Sequence, residues 1–228
     1  MDIILQILQL IGYLLLLVIL ALLWRKAFRQ SEARRFWQLL ALAWTMNLLG
    51  NIAWIVHDLV TGTELDTFSV IDLFYVSRYV LIGCALWLYP VLLSRRAWFW
   101  IGGTMLAASV VVWAVYFEPA MALRGGGWTD FLGLALYPVL DTGIVVLAWL
   151  RVRATRGSAW SRYAILLFCV MASYGIANTI NLTEYVFSPI AGGILQHVLW
   201  VLTDVFLLVI ALGADLPRQN ESRMRNEE

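Results

Sequence analysis

Long apolar runs and short polar connections alternate along the whole chain. The apolar runs cover residues 3–24, 36–60, 70–94, 98–117, 129–150, 162–183 and 193–213. Each has about the length a helix needs to cross a ~30 Å hydrocarbon core at ~1.5 Å per residue. Inside a bilayer every backbone N–H and C=O must be satisfied without water, a demand that selects helices over open strands. The pattern therefore predicts an all-α bundle of seven transmembrane helices over residues 1–214. A polar tail, 215–228, follows and is too short to bury a core. The first run, Ile3 to Trp24, is not followed by a small-residue cleavage site and reads as a span rather than a leader.

Composition agrees with this reading. The chain is 62% hydrophobic and 14% charged, where soluble domains carry about 25% charge. Twelve tryptophans and nine tyrosines suit the two interfaces of a bilayer. Charge gives the orientation. Arg25, Lys26, Arg29, Arg34, Arg35, Arg95, Arg96, Arg151, Arg153, Arg156, Arg162, Arg218, Arg223 and Arg225 fall on one side, fourteen of the sixteen basic residues. The opposite connections hold Glu64, Asp66, Glu118 and Glu184, with Arg124 their only base. The positive-inside rule then predicts an outside N-terminus and a cytoplasmic C-terminus. The partners expected are the lipid bilayer and a small or lipophilic ligand, not nucleic acid.

Local signals refine the elements. Pro90 and Pro138 predict kinks late in the third helix and within the fifth. The connection 118–129, with three consecutive glycines before Trp128, is expected to be mobile. Ser69 and Asp72 have the spacing of a capping box at the start of the third helix. Cys84 and Cys169 lie in apolar runs without a CxxC pattern and read as core side chains.

Polar groups within the apolar runs carry the functional signal, because ionisable side chains at membrane depth are costly. The stretch from Asn47 to Tyr79 is densest in them. Asp141 and Asp204 both fall near mid-membrane, and Arg78 lies about eight residues down its helix. Asn47 and Asn51 match that depth on the second helix, as do Asn178 and Asn181 on the sixth. Together they predict a polar cavity open to the outside, lined by Asn47, Asn51, Trp54, Asp72, Tyr75, Arg78, Tyr79, Asp141, Asn178 and Asp204. The competing reading is structural: an ion pair of Arg78 with one aspartate, plus interhelical hydrogen bonds. The two histidines, His57 and His197, fall at similar depth near the outer face. In a ring of helices in sequence order, the second and seventh helices would be neighbours. The pair would then suit a divalent metal or a bis-imidazole haem. Otherwise they are interfacial side chains bonded to water or headgroups.

Two resemblances carry these residues further. Gly50-x-x-x-Trp54, Ser69-x-x-Asp72-Leu73-Phe74-Tyr75-x-x-x-Tyr79, Gly83, Tyr137-Pro138-x-x-Asp141 and Trp200 with the apolar run to Leu212 resemble a bacterial seven-helix sensory domain. That domain is usually found ahead of diguanylate cyclase or phosphodiesterase modules. The resemblance spans essentially the whole chain. It implies a receptor of the inner bacterial membrane that passes a change to a cytoplasmic signalling partner. His197 stands where that pattern more often has an acid, and Val80 where it often has proline. The second likeness is shorter. Asn51-Ile-Ala-Trp54, Arg153-Ala-Thr-Arg-Gly-Ser158 and Asp204 are similar to pieces of small integral-membrane terpene cyclases. Those enzymes need an acid directly after the tryptophan. Ile55 stands there, so Asp58 or Asp204 would have to act as the general acid.

Overall fold

The computed structural model describes residues 3–31, 33–62, 69–90, 93–124, 128–187 and 193–213, with backbone alone for 124–135. These residues form helices and no strand. Helix α1 is Ile3–Arg29, α2 Arg34–Thr61 and α3 Asp72–Leu88. Helix α4, Arg96–Val112, runs through a π turn, Trp113–Phe117, straight into α5, Glu118–Arg124. Helices α6 (Trp128–Ala154), α7 (Ser161–Phe187) and α8 (Gly193–Leu212) complete seven rods among the described residues. Five rods are long and apolar enough to cross a membrane: α1, α2, the stretch Arg96–Leu123, α7 and α8.

Several ends have clear local causes. Helix α2 stops at Gly62, whose φ of 64° is left-handed and whose N–H bonds the carbonyl of Asp58. Helix α3 ends at Leu88, short of the predicted residue 94, because the residue before a proline is pushed out of the helical region. Tyr89, before Pro90, is extended at φ −122°, ψ 144°. The fourth rod corrects the sequence reading in the other direction. The mobile connection expected from residue 118 is helical to Arg124, and residues 125–127 lie outside the described residues. The N–H of Glu118 reaches back five residues to Trp113, widening one turn just before Pro119, which has no N–H to give. Helix α6 continues through Pro138. The polar tail and the acidic connection with Glu64 and Asp66 also lie outside the described residues.

Six of the seven rods close a ring in sequence order, and the fourth is left outside it. Helix α1 packs on α2 and α8, α2 on α3, α3 on α6, α6 on α7, and α7 on α8. Helix α4 stands outside this closed ring, seated on α6. Its Trp98, Phe99, Trp100 and Leu106 remain exposed. The seat needs a glycine, because a Cβ at Gly143 would come within 2.7 Å of Met105 Sδ. Helix α1 therefore separates α2 from α8.

The basic ends meet at one end of the bundle. There Phe36 packs edge-on against Trp37 and Trp160, and Trp37 against Tyr163. Lys26 lies over the Trp37 ring at 4.6 Å and donates to the carbonyl of Gly213 at 2.5 Å. Arg151 donates from Nε to the Leu86 carbonyl at 2.7 Å and from Nη2 to that of Trp87 at 2.8 Å, closing the end of α3. Both cations occupy the carbonyl end of a helix, where the macrodipole favours positive charge.

Candidate functional site

A polar cluster crosses the middle of the ring. Arg78 on α3 is buried, 3% exposed, and donates from Nη1 to Asn47 on α2 at 2.8 Å. Its guanidinium lies 4.0 Å from the centre of the Tyr174 ring on α7 and 4.7 Å from that of Tyr79. The Tyr79 hydroxyl donates to Asp141 on α6 at 2.7 Å. The other Asp141 oxygen accepts from Asn178 on α7 at 2.8 Å. Four helices are thus joined through one cluster, as buried polar groups require.

The charges in this cluster are kept apart. No nitrogen of Arg78 comes within 4.0 Å of an Asp141 or Asp204 oxygen. Among the described residues the Arg78–aspartate ion pair of the competing structural reading is therefore not formed. Tyrosine faces and the Asn47 amide stabilise the Arg78 cation, and the Tyr79 hydroxyl and Asn178 amide bond the Asp141 carboxyl. Arg78 Nε is buried with no hydrogen-bond acceptor. The expected open cavity is also not what these side chains form. Bounded by Trp44, Arg78, Tyr79, Asp141, Met171 and Tyr174, the space left is about 10 Å³, barely room for one water. The polar side chains close on each other because each finds its partner on a neighbouring helix.

Nearer the acidic end, two more bonds repeat the theme. Tyr75 donates to Asn51 at 2.9 Å. Gly50 makes this possible, since a Cβ there would stand 2.9 Å from the Tyr75 ring. Asp72 combines both roles considered for it. One oxygen accepts from the Ser69 N–H at 2.7 Å, the cap, and the other from the Tyr137 hydroxyl.

The remaining candidates make no hydrogen bond to the cluster among the described residues. Asp204 on α8 faces α1, its Oδ2 3.7 Å from where a Cβ of Gly12 would be. It makes no hydrogen bond among the described residues. Trp54 is 41% exposed. His57 sits near the end of α2 beside the Thr61 hydroxyl at 3.4 Å. His197 has both ring nitrogens engaged: Nδ1 with the Gly193 carbonyl at 2.6 Å and Nε2 with the Gln9 amide at 3.2 Å. The first contact needs an Nδ1 proton, so Nε2 accepts from Gln9. The shared histidine site expected between neighbouring helices is not assembled, because α1 stands between α2 and α8. Among the described residues no group of three or more His, Cys, Asp or Glu side chains could hold a metal ion. The pieces of the cyclase likeness are likewise separated. Asn51 meets Tyr75 near the start of α3, whereas Arg151, two residues before Arg153, meets Leu86 near its end. That is roughly 16 Å along the helix at ~1.5 Å per residue.

Tyr174 was the residue that sequence reasoning missed. A signal for it exists, since Tyr174, Asn178 and Asn181 recur at i, i+4 and i+7 on one face of α7. Neither a protein-family model, nor a curated protein, nor a solved structure matches this chain. Fold and cluster define it as an all-helical bundle of membrane-crossing character built around a divided pair of buried charges. Of the sensory-domain motif residues, Tyr75, Tyr79, Tyr137 and Asp141 take part in the polar contacts just described.

Proposed function

We propose that the chain is a seven-pass receptor-like protein of a bacterial inner membrane, with its basic end in the cytoplasm. A small or lipophilic ligand entering from the acidic end engages the cluster, and the helices pass the change to a cytoplasmic partner. The observation that carries this reading is the division of Arg78 from Asp141. A directly paired arginine and aspartate would be a strong reason to remain closed. Here each charge is held by neutral groups on other helices, and Arg78 keeps a buried N–H unused. A ligand bringing an acceptor to that N–H would gain a charge-assisted bond and move α3 against α6 and α7.

The test is thermal melting in detergent against a panel of small carboxylates, amines and isoprenoid lipophiles. At least one compound should raise the melting temperature of the wild type and lose its effect in Arg78→Gln and Asp141→Asn. A panel that stabilises wild type and both variants equally would remove the cluster from the binding site. Turnover of a polyprenyl epoxide that Asp204→Asn abolishes would make the chain a cyclase instead. A reporter fused after Glu228 should be active only in the cytoplasm, and periplasmic activity would overturn the orientation.

A further inference from the structure

A second cavity, unrelated to the cluster, opens at the basic end of the bundle. It measures about 590 Å³ and lies between α1, α2 and the segment after α3. That is within the range of small-ligand sites, ~300–1,000 Å³. Its floor is apolar, formed by Trp24, Leu39, Leu42, Leu88 and Pro90, and Arg35 and Gln38 line it as well. Two walls are fixed by contacts of their own. The Trp24 indole N–H donates to Thr45 at 3.2 Å, and the Tyr89 ring packs edge-on against Phe36. Arg35 is exposed, and exposed Arg25, Arg29 and Arg34 surround the same end of α1 and α2.

We propose that this cavity binds an anionic phospholipid, with the phosphate on Arg35 and one acyl chain along Trp24, Leu39, Leu42 and Leu88. Three features select this occupant. The apolar floor suits a hydrocarbon chain and offers a soluble anion nothing. The aromatic residues mark headgroup depth, where tryptophan and tyrosine concentrate. Among the described residues, Arg35 at the mouth and the exposed Arg25, Arg29 and Arg34 beside it complement an anionic headgroup and favour it over a zwitterionic one. Basic pockets between membrane helices bind such headgroups as a general rule. Only the lipid satisfies the charged mouth and the apolar floor together.

The full chain, purified in detergent, is titrated with dioleoylphosphatidylglycerol and read by native mass spectrometry. One lipid should stay bound to the wild type. Arg35→Gln, at an exposed position where folding is not at risk, should weaken binding about fivefold, the effect of one arginine near a lipid phosphate. Arg96→Gln, exposed at the same end but outside the cavity, should leave it unchanged. Leu39→Trp should displace the lipid by filling the floor. Dioleoylphosphatidylcholine, whose choline cation offsets its phosphate, should bind more weakly to the wild type and lose less than dioleoylphosphatidylglycerol in Arg35→Gln. Equal weakening by Arg35→Gln and Arg96→Gln would overturn the proposal in favour of a diffuse field. Displacement of the lipid by inorganic phosphate would overturn it in favour of a free-anion site.

Discussion

Arg78 and Arg151 are almost equally shielded from solvent, 3% and 2% exposed, yet Arg78 lies mid-bundle and Arg151 near its basic end, and they are held in different ways. Arg151 meets the carbonyls that end α3, groups that every helix leaves without internal partners. Its charge and the helix dipole stabilise each other, and a structural role accounts for it completely. Arg78 meets one amide oxygen and two tyrosine faces, and one of its N–H groups goes unused. Burying a cation on such terms leaves stabilisation unclaimed. Equal burial is therefore a poor guide to role. What separates a structural cation from a functional candidate is how fully its hydrogen-bond capacity is met.

Removing the better-satisfied arginine should do the greater damage. Arg151→Leu leaves the Leu86 and Trp87 carbonyls without this donor and should cost about 3 kcal/mol. That corresponds to roughly 6–12 °C in melting temperature for a chain of this size. Asp141→Leu comes next at about 2 kcal/mol, because the Tyr79 hydroxyl and the Asn178 amide both lose their acceptor. Asp141→Asn should cost less, since its amide oxygen can still accept from Tyr79. Arg78→Leu should cost about 1.5 kcal/mol: one charged hydrogen bond is lost, but an unsatisfied buried N–H goes with it. If Arg78→Leu melts below Arg151→Leu in detergent, the ranking and the distinction drawn from it are both wrong.

Two smaller effects sharpen the same contrast. Gly50→Ala forces the Tyr75 ring away from a Cβ at 2.9 Å and should cost about 1 kcal/mol. Tyr75→Phe should remove part of that penalty difference by releasing the bond to Asn51. Asp204→Asn should change stability by less than about 0.5 kcal/mol, because no hydrogen bond depends on the carboxylate. If Asp204 serves a ligand, the response per folded molecule disappears while melting is unchanged. A large loss of stability from this substitution would identify a structural role.

Much of the architecture was legible in the sequence. Hydrophobic length alone marked all seven rods, and the capping spacing of Ser69 and Asp72 located the start of α3. The end of α3 and the extension of the fourth rod were not legible from hydropathy. The first was decided by backbone sterics before Pro90, and the second by a π turn that let the helix absorb Glu118 and Pro119. Depth arithmetic put Asn47, Arg78, Asp141 and Asn178 at one level, and in the structure they belong to one set of contacts that also includes Tyr79, which helical facing had placed. It did not join the histidines, because depth carries no azimuth, and Asp204 at the same level turns its carboxyl toward Gly12 on α1. Two residues at one level can face different neighbours, and only the packing order, with α1 between α2 and α8, decides which. Tyr174 escaped notice because an aromatic in an apolar helix looks like core until a cation is found on its face.

The bonds between Lys26 and Gly213 and between Gln9 and His197 join positions 187 and 188 residues apart. A chain emerging from N- to C-terminus cannot form either until its last helix has been made. During synthesis the inner face of α1, with Leu16, Ile19, Leu20 and Leu23, has α2 beside it but not its second neighbour α8. Closure of the ring is thus a late step of its assembly, with the highest loop-closure entropy among these contacts and the slowest expected kinetics. Quality control of this protein would turn on one late event, the docking of the last helix against the first.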